Sequence, residues 1–168
     1  MPDLDAADLT DGNAHAGMAW TIHRDRVLLA GWGRAILLQI AHPMVAQGVA
    51  DHSAFTTEPW SWLRRLDRTL RSMLALTFGS DAQAAAAAAR INAIHDRVHG
   101  RLGEAAGGEP AGAGYDAHDP ALLTWVHATL LDSFLLVYRR LVAPIDRLAG
   151  DRYCVDAAGS EPLLRVPA

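Results

Sequence analysis

The sequence holds a single cysteine, Cys154. One thiol excludes an internal disulfide framework and fits a reducing compartment, so a cytoplasmic location is expected. The first seventeen residues carry no basic stretch followed by an apolar one, so no secretory signal is expected. Positive charge is also short: 15 Arg and Lys stand against 19 Asp and Glu, a formal net charge of −4. That balance leaves no basic footprint for nucleic acid. Glutamate is scarce, with only Glu58, Glu104, Glu109 and Glu161. None lies three residues before a histidine, which removes the Glu-x-x-His pairs of di-iron carboxylate bundles. A Gly-x-Ser-x-Gly nucleophile elbow and a phosphate-binding glycine loop are both missing. So are internal repeats and any alternating apolar–polar run bounded by turn signals.

What the chain does have is apolar helical pattern. Its 168 residues are 51% hydrophobic and 20% charged, one domain's worth of protein with a substantial core. Residues 1–16 read as a flexible tail, 17–150 as a helical domain, and 151–168 as a second tail. In the domain, Gly17–Ala30 has helical spacing, with Trp20, Val27 and Leu28 as its apolar positions. Gly31 and Gly33 mark a break or a tight helix contact. The apolar run from Val27 to Ala50 contains Arg34, Gln39 and His42, which fits buried helices better than a membrane span of about 20 residues. Pro43 marks a kink or the first turn of a new helix. Thr57 and Pro59 open a helix running to about Phe78, with Trp62, Leu66, Thr69, Met73 and Leu76 on one face. Residues 103–116, rich in Gly, Ala and Pro, read as a loop, and Asp119-Pro120 starts a long apolar helix ending before Pro144. The expectation is an all-α, single globular helical domain of about five helices, two of them largely buried and central.

Between Phe78 and that loop lies the stretch Ser80–Leu102, with a Ser-Asp capping signal, six consecutive alanines and two histidines. Helical spacing puts His95 in an apolar stripe with Ile91, Val98 and Leu102. A histidine there is either a satisfied core residue or a ligand. His95 and His99, at i and i+4, also invite a zinc reading, although Asp96 stands where zinc hydrolases carry glutamate. Of the other histidines, His15 and His23 look exposed, and His42 and His52 support either the fold or a pocket. His118 looks like a loop or capping residue. His127, among Leu123, Leu130, Leu131 and Phe134, is a hydrogen-bonded core residue or a ligand. A haem would need one such imidazole, an apolar enclosure and arginines at its edge.

Four separated blocks together resemble one family. They are Arg34-Ala-Ile-Leu-Leu-Gln-Ile-Ala-His42-Pro-Met-Val-Ala-Gln-Gly48-Val, Asp51-His52-Ser53-x-Phe55, His118-Asp-Pro, and Trp125-Val-His127-Ala-Thr-Leu-Leu-Asp132-Ser. In this order, over about residues 20–140, they are similar to the MpaB-type oxygenases, whose catalytic domain is shared with rubber oxygenases (latex-clearing proteins). The resemblance implies an all-helical protein holding haem b and using dioxygen on a small or apolar organic substrate. It assigns the iron's axial ligand to His95, with His99 in place of the usual arginine one turn on, and His42 and His127 nearby. Arg65-Leu-Asp-Arg68-Thr69 resembles the family's Arg-x-x-Lys-Thr, which assigns Arg65, Arg68 and Thr69 to the distal side, with Arg68 in place of the lysine. No residue matches the glutamate that serves rubber oxygenases as a base. The alternatives are a haem-free helical interaction or scaffold protein and a zinc-dependent hydrolase using His95 and His99. A homodimer is expected from the apolar helix surface.

Overall fold

The computed structural model describes residues 17–52, 61–159 and 161–167, leaving out the side chains of 61–65. The expected tail 1–16, and Ser53, Phe55, Thr57 and Pro59, lie outside these residues. So do the side chains of Trp62 and Arg65. Within them the chain is all-α apart from one small hairpin. Seven α-helices are present rather than about five: α1 Met18–His23, α2 Leu28–Ile40, α3 Pro43–Asp51, α4 Ser61–Phe78, α5 Asp81–His95, α6 Pro120–Leu141 and α7 Arg147–Ala158.

Local signals explain most of these boundaries. Ser80 and Gln83 form a reciprocal capping box on α5: the Ser80 hydroxyl accepts from the Gln83 N–H, and the Gln83 side chain accepts from the Ser80 N–H. Asp119 caps α6 by accepting from the Ala121 N–H at 2.8 Å, and Pro120 fills its first position. Pro43 likewise starts α3 rather than kinking a continuous helix. The apolar run 27–50 is therefore two short helices. Asp146 caps α7 through the Ala149 N–H. Residues 151–158, expected as part of a tail, belong to this helix, because Tyr153 is an anchor of the core.

That core joins Ile22 of α1, Leu28 of α2, Phe134 of α6 and Tyr153 of α7, with Trp32, Leu130 and Tyr138 packed around it. Helices α2 and α6 form the main pair. Gly31 makes their close approach possible, since a Cβ at this position would stand 2.8 Å from Phe134 Cδ1. The tight contact is thus the correct reading of Gly31; α2 runs through both glycines unbroken. Arg34 ties the pair at its edge, donating to Asp132 at 2.6 Å and to the buried Ser133 hydroxyl at 2.8 Å. The two central helices are less buried than their composition implies. On α2 only Leu28, Gly31 and Ala35 are buried, while Leu29, Ile36, Leu37 and Ile40 are exposed. Helix α6, with a mean hydropathy of 1.5, is long and apolar enough to cross a membrane. Core helices of globular proteins meet the same two criteria, and one face of α6 packs into this core.

His23 departs from its expected exposure. It lies between α4 and α7, with Nδ1 3.2 Å from the Thr77 hydroxyl and Nε2 2.9 Å from the Tyr153 hydroxyl. The ring also meets Phe134 edge-on at 5.2 Å. Burial pulls its pKa down to about 4, so the imidazole is neutral.

The expected loop 103–116 is ordered as well. Strands β1 His99–Arg101 and β2 Gly114–Asp116 pair antiparallel, with His99 opposite Asp116. Beyond them Ala106 and Glu109 bridge across Gly107 and Gly108, both at positive φ, the backbone demanded by a tight hairpin turn. Leu102 and Tyr115 are the hairpin's buried side chains. The Tyr115 hydroxyl donates to Asp51 at 2.5 Å and so fastens α3 to the hairpin.

Candidate functional site

Helix α5 stops at His95, and this decides the local chemistry. The Val98 N–H bonds back to the His95 carbonyl, the Ala117 N–H bonds to the Val98 carbonyl, and the chain enters β1. Val98 and Leu102 therefore do not continue a helical stripe with His95. His99 sits on the strand, exposed, and its carbonyl lies 3.3 Å from His52 Nε2. The i, i+4 histidine pair that a zinc site needs is not presented on one helix face. Among the described residues no group of three or more His, Cys, Asp or Glu side chains is placed to hold a metal ion. The zinc-hydrolase alternative has no geometric basis here.

The hairpin instead delivers a different histidine to the end of α5. Residues Asp116–Asp119 make a turn in which Asp116 Oδ1 accepts from the His118 N–H at 2.7 Å. The His118 ring then meets the His95 ring edge-on, with centroids 5.8 Å apart. Asp96 accepts from His118 Nε2 at 2.7 Å. Arg165, at a left-handed φ of 58°, reaches the same carboxylate oxygen from the C-terminal segment at 3.4 Å. Asn92, one turn before Asp96, donates to the Leu163 carbonyl at 2.9 Å, so this segment lies along the same face of α5. His95, Asp96, His118 and Arg165 thus come from three separate parts of the chain.

Electrostatics favour the neutral form of His95. Burial lowers its pKa, and the His118 charge lowers it further against the opposing Asp96. The ring is neutral at ordinary pH, the form that binds a metal. Its Nδ1 is buried with no hydrogen-bond partner, and so is Nδ1 of His118. Asp96 is held below the usual carboxylate range, chiefly by the His118 hydrogen bond.

The other expected site residues are dispersed. His127 is half-buried on α6, with Nε2 3.1 Å from Glu161 but off the hydrogen-bond angle. The contact is one of charge proximity rather than a hydrogen bond. His42, at the α2–α3 joint, stacks obliquely on Trp125 at 6.0 Å, and its Nδ1 is buried without a partner. Arg68 and Thr69 stand exposed on α4, with Thr69 on the helix face of Leu66, Met73 and Leu76. Two surface hollows stand out among the described residues. One of about 440 Å³ is lined by Pro120, Ala121, Thr124, Trp125, Ala128 and Pro167. The other, about 370 Å³, lies at the hairpin tip, 105–110. His95 lines neither.

A family model described as "ER-bound oxygenase mpaB/B'/Rubber oxygenase, catalytic domain" matches residues 20–168. The chain belongs to this family. Among the described residues the match takes in α1 from Trp20 on, α2 to α7 and both strands, and it extends the resemblance through α7 and the Arg165 segment. No curated protein and no solved structure matches the chain. Membership makes this an oxygenase-family enzyme.

His118 and Arg165 are the residues beside His95 and Asp96 that the sequence alone does not place there. In the sequence His118 is visible as a loop or capping residue and as part of the His118-Asp-Pro block. The Gly107-Gly108 dipeptide was the signal that could have folded the hairpin and brought His118 back to α5.

Proposed function

We propose that the chain is a haem b-dependent oxygenase acting with dioxygen on a small or apolar organic substrate, with His95 as the residue that would hold the iron. The observation that carries this reading is the His95 imidazole itself. It is desolvated and neutral, it makes no hydrogen bond, and it stands at the end of a helix in a family of oxygenase catalytic domains. The donor chemistry therefore fits the group. When bound, haem iron would supply the site with a centre for dioxygen.

The remaining roles belong to the chain. His95 would hold the iron, and the strap 161–167 together with the hairpin would limit water at its ring edge. Arg68 and Thr69, with Arg65, are proposed for the distal side on the strength of their motif alone. His42 and His127 are proposed as neighbours of the cofactor, each with a buried, unpartnered ring nitrogen. His99, exposed on β1, would act only from the rim.

The test is a haemin titration of the purified chain, followed by its absorption spectrum before and after dithionite. The expected result is a saturable Soret band at one haem per chain, lost or displaced in His95→Ala. A protein that takes up no haem, or whose spectrum ignores His95→Ala, would refute the assignment. One observation favours a second reading, a haem-free helical interaction module: neither surface hollow is lined by His95. That reading predicts no Soret band at any haemin concentration.

A further inference from the structure

Asn92, His95 and Asp96 stand at i, i+3 and i+4 and so share one face of α5, since Asp96, its C-cap, keeps helical backbone angles. The segment 161–167 is fastened to this face on both sides of His95. Asn92 Nδ2 donates to the Leu163 carbonyl at 2.9 Å. Arg165 Nη1 stands 3.4 Å from Asp96 Oδ1 and 3.3 Å from His118 Nε2. The stretch from Leu163 to Arg165 therefore spans one turn of helix, and His95 lies between its two tie points. At the other end of the segment Glu161 faces His127 of α6 at 3.1 Å, so the segment bridges α5 and α6.

Polar contacts hold this bridge, not apolar burial. None of residues 161–167 is buried, and Leu163 is 41% exposed. The segment satisfies much of its own backbone: the Glu161 carbonyl accepts from the N–H groups of both Leu164 and Val166. It can therefore leave α5 as a unit, breaking only the Asn92 and Arg165 contacts. Arg165 also carries strain. It is the one non-glycine residue among those described at positive φ, 58°, a conformation that persists only where neighbours hold it. Such strain favours release.

We propose that residues 161–167 are a lid over His95, a preformed turn latched at Asn92 and Asp96 that swings off α5 to admit a ligand to the imidazole. The inference rests on the haem reading only for the identity of what is admitted; the latch stands on the contacts themselves. An unburied segment held by a few solvent-facing hydrogen bonds belongs to the low end of local stability, from which gating elements are drawn.

The test reads His95 accessibility in the haem-free full-length chain. Diethyl pyrocarbonate modifies neutral imidazoles that solvent reaches, and at about pH 8 ordinary imidazoles are neutral. Trypsin places His95 on Ile91–Arg97 and His99 on Val98–Arg101, so mass spectrometry follows each separately. Exposed His99 is the fast reference, and His23, enclosed by Thr77 and Tyr153, reports global unfolding. In the unaltered protein His95 should react more slowly than His99. An ordinary hydrogen bond shifts an opening equilibrium about fivefold, and an exposed ion pair about twofold to fivefold. Asn92→Ala should therefore accelerate His95 about fivefold, Arg165→Ala about twofold to fivefold, and the double variant about 10–25-fold, with His23 unchanged. His95 reacting as fast as His99 in the unaltered protein overturns the lid. So does a double variant in which His95 keeps its rate, or gains only in step with His23. Haemin uptake separates the two proposals and should be faster in the double variant. An accelerated His95 with no haemin uptake by either protein refutes the cofactor reading and leaves the lid standing. Saturable haemin binding at the same rate in both proteins refutes the lid.

Discussion

His23 gives the sharpest quantitative consequence of this fold. The ring is fixed between the hydroxyls of Thr77 and Tyr153, against Phe134, and burial lowers its pKa from 6.5 to about 4. In the unfolded chain the ring regains its ordinary value, so between these two pH values the unfolded state binds more protons than the folded one. Stability must therefore fall as the pH drops from 6.5 towards 4, and this contribution levels off below 4, where both states are protonated. A difference of roughly 2.5 pH units, at about 1.36 kcal/mol each, makes the loss about 3 kcal/mol at pH 4 relative to pH 7. The perturbation is His23→Gln, which keeps hydrogen-bonding capacity and cannot titrate. Urea unfolding of both proteins across this range isolates the effect, because His95 and His127 are common to the two. The stability advantage of the unaltered protein over His23→Gln should shrink by about 3 kcal/mol from pH 7 to pH 4. A gap that does not change with pH would refute the buried, neutral ring. Direct NMR titration of His23 near its ordinary value would refute it as well.

Two further outcomes follow from close approaches of glycines. Gly31→Ala forces a Cβ to 2.8 Å from Phe134 Cδ1, whereas Gly33, two residues on in the same helix, has nothing within 4 Å of the equivalent position. Urea midpoints should show Gly31→Ala destabilising by about 1–2 kcal/mol through overpacking, and Gly33→Ala stabilising by up to about 1 kcal/mol through helix propensity. In the hairpin, a Cβ at Gly100 would stand 2.5 Å from the Tyr115 hydroxyl. Gly100→Ala should push that hydroxyl off Asp51, and its ionisation, pushed up to about 12 by burial and by the Asp51 hydrogen bond, should return towards that of an ordinary tyrosine in an ultraviolet titration.

Periodicity and capping residues made the helices legible. Ser80 with Gln83, and Asp119 with Pro120, act at their own positions, so their effect can be read from a few consecutive residues. The misreadings share a different cause. His23 looks exposed between Ile22 and Arg24, because Tyr153 and Thr77, which enclose it, lie 130 and 54 residues away. The 103–116 segment has the composition of a loop, and its order comes from three glycines at positive φ, the buried Tyr115 with its neighbour Leu102, and a tip whose Gly107 lies against Pro43. Helix count failed for a related reason. The tail beyond Gly150 has little apolar pattern of its own, yet one residue, Tyr153, is fully buried and holds α7 to the core.

The candidate site was legible only as far as His95. Reading the helix through to Leu102 made His99 its natural partner, since i and i+4 share a face. Ending the helix at His95 reverses that choice: His99 turns outward on β1, and the opposite strand returns His118 to the place that His99 was expected to fill. Asp96 changes meaning in the same step. In a continuing helix it is a shortened general base between two metal ligands. At the helix terminus it is a negative charge in an unfavourable field, held there by His118 and Arg165. The residue that weakens the zinc reading is therefore the one on which His118 and Arg165 converge. The surroundings of His95 are built by a contact across 22 residues of hairpin and turn, from Asp96 to His118.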